Sequence, residues 1–67
     1  MKKNELRSVM VKFGDNNQIL AEALGITSPA LSNKMNGKSA FSINQIKVMI
    51  DRYNLDGDDV QRIFFAP

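Results

Sequence analysis

Apolar residues recur at helical spacing along nearly the whole chain, broken only where a glycine, an asparagine or a capping residue stands. Leu6, Val9, Met10 and Phe13 lie three and four apart, which predicts an amphipathic helix over residues 3–13, ended by Gly14. A second helix is expected over 17–24, with Ile19, Leu20, Ala23 and Leu24 as its apolar positions. A third, over 28–36, stacks Leu31 and Met35 on one side and stops at Gly37; residues 38–41 follow as a loop. Ser42 and Gln45 have the spacing of a capping box and open a fourth helix, in which Ile43, Ile46, Met49, Ile50 and Tyr53 keep the period. Asn54 and Leu55 break it. Asp56 caps a fifth helix with Asp58 and Asp59 in its first turn, where the helix dipole favours negative charge, and Val60, Ile63 and Phe64 supply its buried side. No strand-like alternation competes, so an all-α fold of five short helices is expected.

Residues 17–38, NQILAEALGITSPALSNKMNGK, are the most constrained part of this pattern. Ala21 falls in mid-helix where the next helix must cross at close range, and a larger side chain would push the pair apart. Gly25 stands just past that helix, at a position that favours a left-handed backbone. Ile26 points back to the core, Thr27 can cap the following helix, and Pro29 falls in its first turn, where a missing donor costs nothing. Two short helices joined by a tight turn, the second carrying polar side chains outward, make a helix-turn-helix.

Sixty-seven residues predict one domain, residues 1–67, because a chain this short buries only about 60% of its unfolded surface and cannot support a second core. The chain has no cysteine and no histidine. Neither a disulfide framework nor a thiolate zinc site is expected, and a cytoplasmic location is the easier reading. The usual metal ligands and the usual general base are absent too, so no metal, no cofactor and no enzyme activity are expected. Glu5, Arg7 and Lys12 interrupt any apolar run behind the amino-terminal lysines, and neither an export signal nor a membrane span is expected. The net charge is only +2, yet its distribution is uneven: residues 23–50 hold Lys34, Lys38 and Lys47 and no acid at all. One face of a nearly neutral protein could thus be positive.

At 100° per residue, Pro29, Ser32, Asn33 and Asn36 fall within an arc of about 100° on the side away from Leu31 and Met35. This small, polar, uncharged surface suits the major groove of DNA. Serine pairs with several bases, asparagine bonds bidentately to adenine, and an apolar edge such as Pro29 meets a thymine methyl. Ser32 and Asn33 are the first candidates for base reading, with Ser28 at the helix tip and Pro29 next. The plain alternative is that serine and asparagine merely solvate an exposed helix. Phosphate contact is expected from Asn17 and the free N–H groups at the start of helix two. Asn36, Gly37, Lys38 and Ser39 offer a turn of N–H groups ending in a lysine. Lys34 lies between Leu31 and Met35, so its stem covers the core while its ammonium reaches out. Lys2, Lys3 and Lys47 read more simply as solvated charges.

At this point the chain resembles the phage repressor and Cro family, the lambda-repressor-like helix-turn-helix domains. Asn17, Leu20, Ala21, Leu24, Gly25, Ile26, Thr27, Leu31, Ser32, Asn36, Gly37 and Lys38 stand in the family's order and spacing. The likeness extends more weakly through helix four to Leu55. The run S-N-K-M-N-G-K, with Phe41 and Ile63-Phe64-Phe65, is similar to small regulators of Gram-positive phages and prophages. The resemblance implies a compact five-helix fold and a double-stranded DNA operator. It also implies base contact from Ser28, Pro29, Ser32 and Asn33, and phosphate contact from Asn17, Asn36 and Lys38. Two positions depart from the family: it commonly has glutamine where Asn17 stands and an aliphatic residue where Lys34 stands. The first shortens the reach to DNA, and the second thins the local core.

One such helix covers a few base pairs, so these proteins ordinarily bind paired half-sites as dimers. Phe64 and Phe65 are adjacent, and one helix cannot easily bury both against its own core. Either one of them faces a second copy, or Phe65 folds over the edge of the domain. A rival reading makes the chain a modulator that docks on another phage regulatory protein, with little or no DNA contact of its own. An enzyme reading finds no site: Asp56, Asp58 and Asp59 lack calcium-loop spacing, and no nucleophile has a base nearby.

Overall fold

The computed structural model describes residues 2–65. All regular structure among them is helical: α1 Lys3–Lys12, α2 Asn17–Leu24, α3 Ser28–Met35, α4 Ile43–Tyr53 and α5 Gly57–Val60. The chain of α5 runs on as one π-helical turn, Gln61–Phe65. The expected all-α, five-helix arrangement is present, with α1 stopping one residue early at Lys12 and Asn36 serving as the cap of α3 rather than its last residue. Among the described residues no helix is long and apolar enough to cross a membrane.

Side chains close the amino-terminal ends of α2 to α5. Asn16 Oδ1 accepts the Ile19 N–H at 2.8 Å and Thr27 Oγ1 accepts that of Ala30 at 3.2 Å. Ser42 and Gln45 form the expected reciprocal box, and Asp56 and Asp59 form a second one. The carboxyl-terminal ends share a left-handed turn. At Gly25 (φ +72°) the glycine N–H donates to Glu22 O at 3.1 Å and the Ile26 N–H to Ala21 O at 3.0 Å. At Gly37 (φ +80°) the same pair of bonds runs from Gly37 to Lys34 O and from Lys38 to Asn33 O. Gly14 and Asn54 also have positive φ, and they end α1 and α4.

The core draws two residues from each long helix: Leu6 and Met10, Leu20 and Ala21, Leu31 and Met35, and Met49 and Tyr53. Ile63 and Phe64 of the last turn complete it. Burying one such side chain contributes about 1.5–3 kcal/mol, against a total stability of roughly 3–10 kcal/mol for a domain of this size. Losing two of them would remove about 3–6 kcal/mol, a large part of that margin. Four residues expected on the apolar side are instead exposed: Phe13, Ile19, Ala23 and Ile43. In α2 the buried line is Leu20, Ala21 and Leu24, and helical rotation carries Ile19 and Ala23 away from it. Ile43 sits in the first turn of α4, beyond the reach of the core. Phe13, just after α1, is half exposed but packs edge-on against the Tyr53 ring, with centroids 5.4 Å apart.

One polar cluster ties the α1–α2 turn to the end of α4. Asp15 accepts from Arg52 twice, Nε at 2.7 Å and Nη2 at 2.9 Å, and from the Tyr53 hydroxyl at 2.6 Å. The Asp15 side chain is only 7% exposed, and these donors offset the cost of drawing its charge away from water. The Arg52 guanidinium holds the Asp15 carboxyl below its ordinary value of 3.8, with the Tyr53 hydroxyl adding to the effect. Burial, together with the Asp15 carboxylate, pushes the Tyr53 hydroxyl up. Arg62 makes a smaller bridge, to Glu5 of α1 and Asp59 of α5.

A depressed carboxyl stabilises the fold above the ordinary carboxylate range, and that contribution is lost as pH falls through the lower folded value. Unfolding free energy is therefore expected to fall as pH drops below 3.8. Asp15→Asn should cost about 1–3 kcal/mol near neutral pH, and the gap from the parent should narrow in acid. Urea titrations followed by circular dichroism at the two pH values check this; a gap independent of pH removes Asp15 as the responsible group. Gly25→Ala is a separate test of the corner. A Cβ there would meet nothing within 4 Å, so the expected loss of about 1–2 kcal/mol is backbone cost alone, and Gly25→Asn should lose less.

Candidate nucleic-acid interface

The α2–turn–α3 unit is held by the buried Ala21 and Leu31, and by Ile26, which packs against the core from the turn. Leu31 and Met35 point inward, which turns the opposite side of α3 to solvent. Pro29, Asn33 and Asn36 form its exposed edge. Ser28 and Ser32 lie half-buried on the flank of that edge. Of the four candidate base readers, Pro29 and Asn33 are thus exposed and Ser28 and Ser32 are half-buried. The Thr27 hydroxyl accepts the Ala30 N–H as its cap and keeps its own O–H as a donor.

The turn after α3 differs from expectation. It was expected to present a run of free N–H groups at Asn36, Gly37, Lys38 and Ser39. The structure commits three of them to closing the helix: Asn36 to Ser32 O at 2.9 Å, Gly37 to Lys34 O at 3.2 Å and Lys38 to Asn33 O at 2.9 Å. Gly37 serves as the left-handed closer of α3, which is incompatible with aiming its N–H at a phosphate. What the turn leaves outward is the Lys38 and Ser39 side chains and the Ser39 backbone, all in an exposed segment.

Lys34 is half-buried, and its ammonium bends to the loop and donates to Ala40 O at 2.8 Å. One of its donors is therefore engaged by the protein itself. Asn17 is the first residue of α2, half-buried in line with Leu20 and Leu24. The neighbouring Asn16 takes the Ile19 N–H, and the N–H groups of Asn17 and Gln18 remain the open donors of that end. Gln18, exposed and one residue on, was not among the candidates. Lys3, read as a solvated charge, donates from Nζ to Asn36 Oδ1 at 3.1 Å. That contact brings a cation of α1 to the end of α3 across thirty-three residues of sequence, a separation no local pattern could reveal.

The ion pairs among the described residues are all made by arginine, to Asp15, Glu5 and Asp59. These acids lie outside residues 23–50. Among the described residues, no lysine of that segment is joined to an acid by an ion pair. Compared with protein-family models, with curated proteins and with solved structures, the chain matches none.

Proposed function

We propose that this protein is a sequence-specific DNA-binding transcriptional regulator of the phage repressor and Cro type, binding paired operator half-sites as a homodimer. The observation that carries the reading is α3 itself. It is anchored by Leu31 and Met35 and presents Pro29, Asn33 and Asn36 outward, with Ser32 half-buried beside them, from a segment without acid. Base reading comes from Ser28, Pro29, Ser32 and Asn33, whose side chains supply donors, acceptors and one apolar edge. Phosphate contact comes from the α2 start at Asn17 and from Asn36, Lys38 and Ser39, with Lys3 beside Asn36.

For the dimer contact the candidates were Phe64 and Phe65, and the structure separates them. Phe64 is buried and packs edge-on against Phe41 with centroids 6.0 Å apart. Its ring belongs to this domain's own core and is withdrawn as a contact. Phe65 is 60% exposed and alone remains as the residue that meets a second copy.

The rival modulator reading is favoured by one observation. Lys34, one of the lysines near α3, spends a donor on Ala40 O, which leaves less cationic reach for phosphate. A gel shift of the pure protein on the DNA flanking its own gene, at two salt concentrations, separates the two. A steep salt dependence with a paired footprint fits the regulator; no shift at micromolar protein fits the modulator.

Asn33→Ala is expected to cost about 1–3 kcal/mol on the operator and to relax preference at one base position of each half-site. Equal weakening on all sequences would move Asn33 to the phosphate backbone. Phe65→Ser should shift the sedimenting mass toward monomer with little change in thermal midpoint, and an unaltered mass takes Phe65 out of the interface.

A further inference from the structure

Between the loop after α3, the start of α4 and the last turn lies a cavity of about 490 Å³, within the roughly 300–1,000 Å³ range of small-molecule sites. Its floor is aromatic and aliphatic. Phe41 and Phe64 meet edge to face, Ile46 of α4 closes one side, and the exposed Phe65 forms the outer lip. Its remaining wall is cationic, with Lys34 and Lys38 and no acidic residue. Lys34 is held in place by its bond to Ala40 O, which leaves two of the three ammonium donors for another acceptor.

The geometry points to a binding site for an apolar organic anion, a carboxylate on a short aryl or alkyl body, at this cavity. The body fills the Phe41–Phe64–Ile46 floor, and the carboxylate accepts from the Lys34 and Lys38 ammonium groups, an arrangement in which each partner satisfies the other's charge. A second copy meeting Phe65 would sit at the outer lip and not on the floor, because groove-to-groove contact would bring the lysines of both copies together. Lys38 is also one of the residues read above as a phosphate contact. A carboxylate that engages it competes with DNA, so occupancy of the cavity weakens operator binding. That consequence rests on the DNA-binding reading; the site itself does not.

Phenylbutyrate is a suitable probe, titrated into the nitrogen-labelled full-length chain and followed by amide shifts. Saturable changes confined to residues 34–46 and 64–65 are expected, with phenylbutyrate binding at least about tenfold tighter than phenylbutanol, and phenylbutylamine weaker still. Lys38→Met keeps the stem and should reduce the preference for the acid over the alcohol while leaving the thermal midpoint in place. Equal binding of acid and alcohol, shifts spread over the domain, or no saturation overturns the site. So do shifts of residues 34–46 that track protein concentration without probe, since they would mark a second copy over the floor of the cavity and not at its Phe65 lip. In a gel shift, phenylbutyrate should weaken a complex that forms without it, and an unchanged complex overturns the competition. Absence of any complex with DNA counts against the DNA-binding reading alone, because the amide titration still decides the site.

Discussion

Helices of eight to eleven residues are too short to persist in water unaided, since isolated helices below about 12–15 residues are marginal. The fold therefore depends on how the helix ends are closed and on the burial that closure permits. Asn16, Thr27, Ser42 and Asp56 each satisfy an orphan N–H at a start. Gly14, Gly25, Gly37 and Asn54 turn the chain left-handed at a stop. The turn at Gly25 has the most resting on it. It sends Ile26 back to the core and delivers Thr27 to the start of α3, so the direction of α3, and with it the outward edge at Asn33, follows from one backbone conformation.

Charge is divided along a different line from burial. Arginines hold the scaffold together: Arg52 on Asp15, and Arg62 on Glu5 and Asp59. Their planar forks suit paired carboxylates, as the bidentate contact at Asp15 illustrates. Lysines are left for the acid-free segment, where a compact ammonium on a flexible stem can meet a loop carbonyl, as Lys34 does, or an outside anion. Structural charge is thereby neutralised within the domain, while the charge around α3 is not.

How much was legible follows from the range of each interaction. Helix periods and caps act over three or four residues, so Ser42 with Gln45, Asp56, and the stops at Gly14, Gly25 and Gly37 could be read from spacing alone. Burial is set by which side of a helix meets its neighbours, and there the pattern misled at Ile19, Ala23 and Ile43, which are apolar yet lie off the packed line. Contacts made across the chain were invisible: Asp15 with Arg52 and Tyr53, Lys3 with Asn36, and Phe41 with Phe64. For the candidate site the same division holds. The outward identity of Pro29, Asn33 and Asn36 was written in the helical period, whereas the use of the Gly37 and Lys38 N–H groups to end α3 depends on the turn's actual dihedral angles.

The closing turn of α3 also explains how a lysine is accommodated at position 34. An aliphatic side chain at that position would fill space beside Leu31 and Met35, and a lysine there puts a charge at the edge of the core. The left-handed turn at Gly37 brings the chain round so that Ala40 O stands 2.8 Å from the ammonium. The carbonyl offsets part of the desolvation. The same turn leaves Lys38 exposed and sets both lysines on the wall of one cavity whose floor is Phe41 and Phe64. A position that weakens the packing of α3 thus gives the surface behind it a cationic wall over an apolar floor, a combination an aliphatic residue at position 34 would not produce.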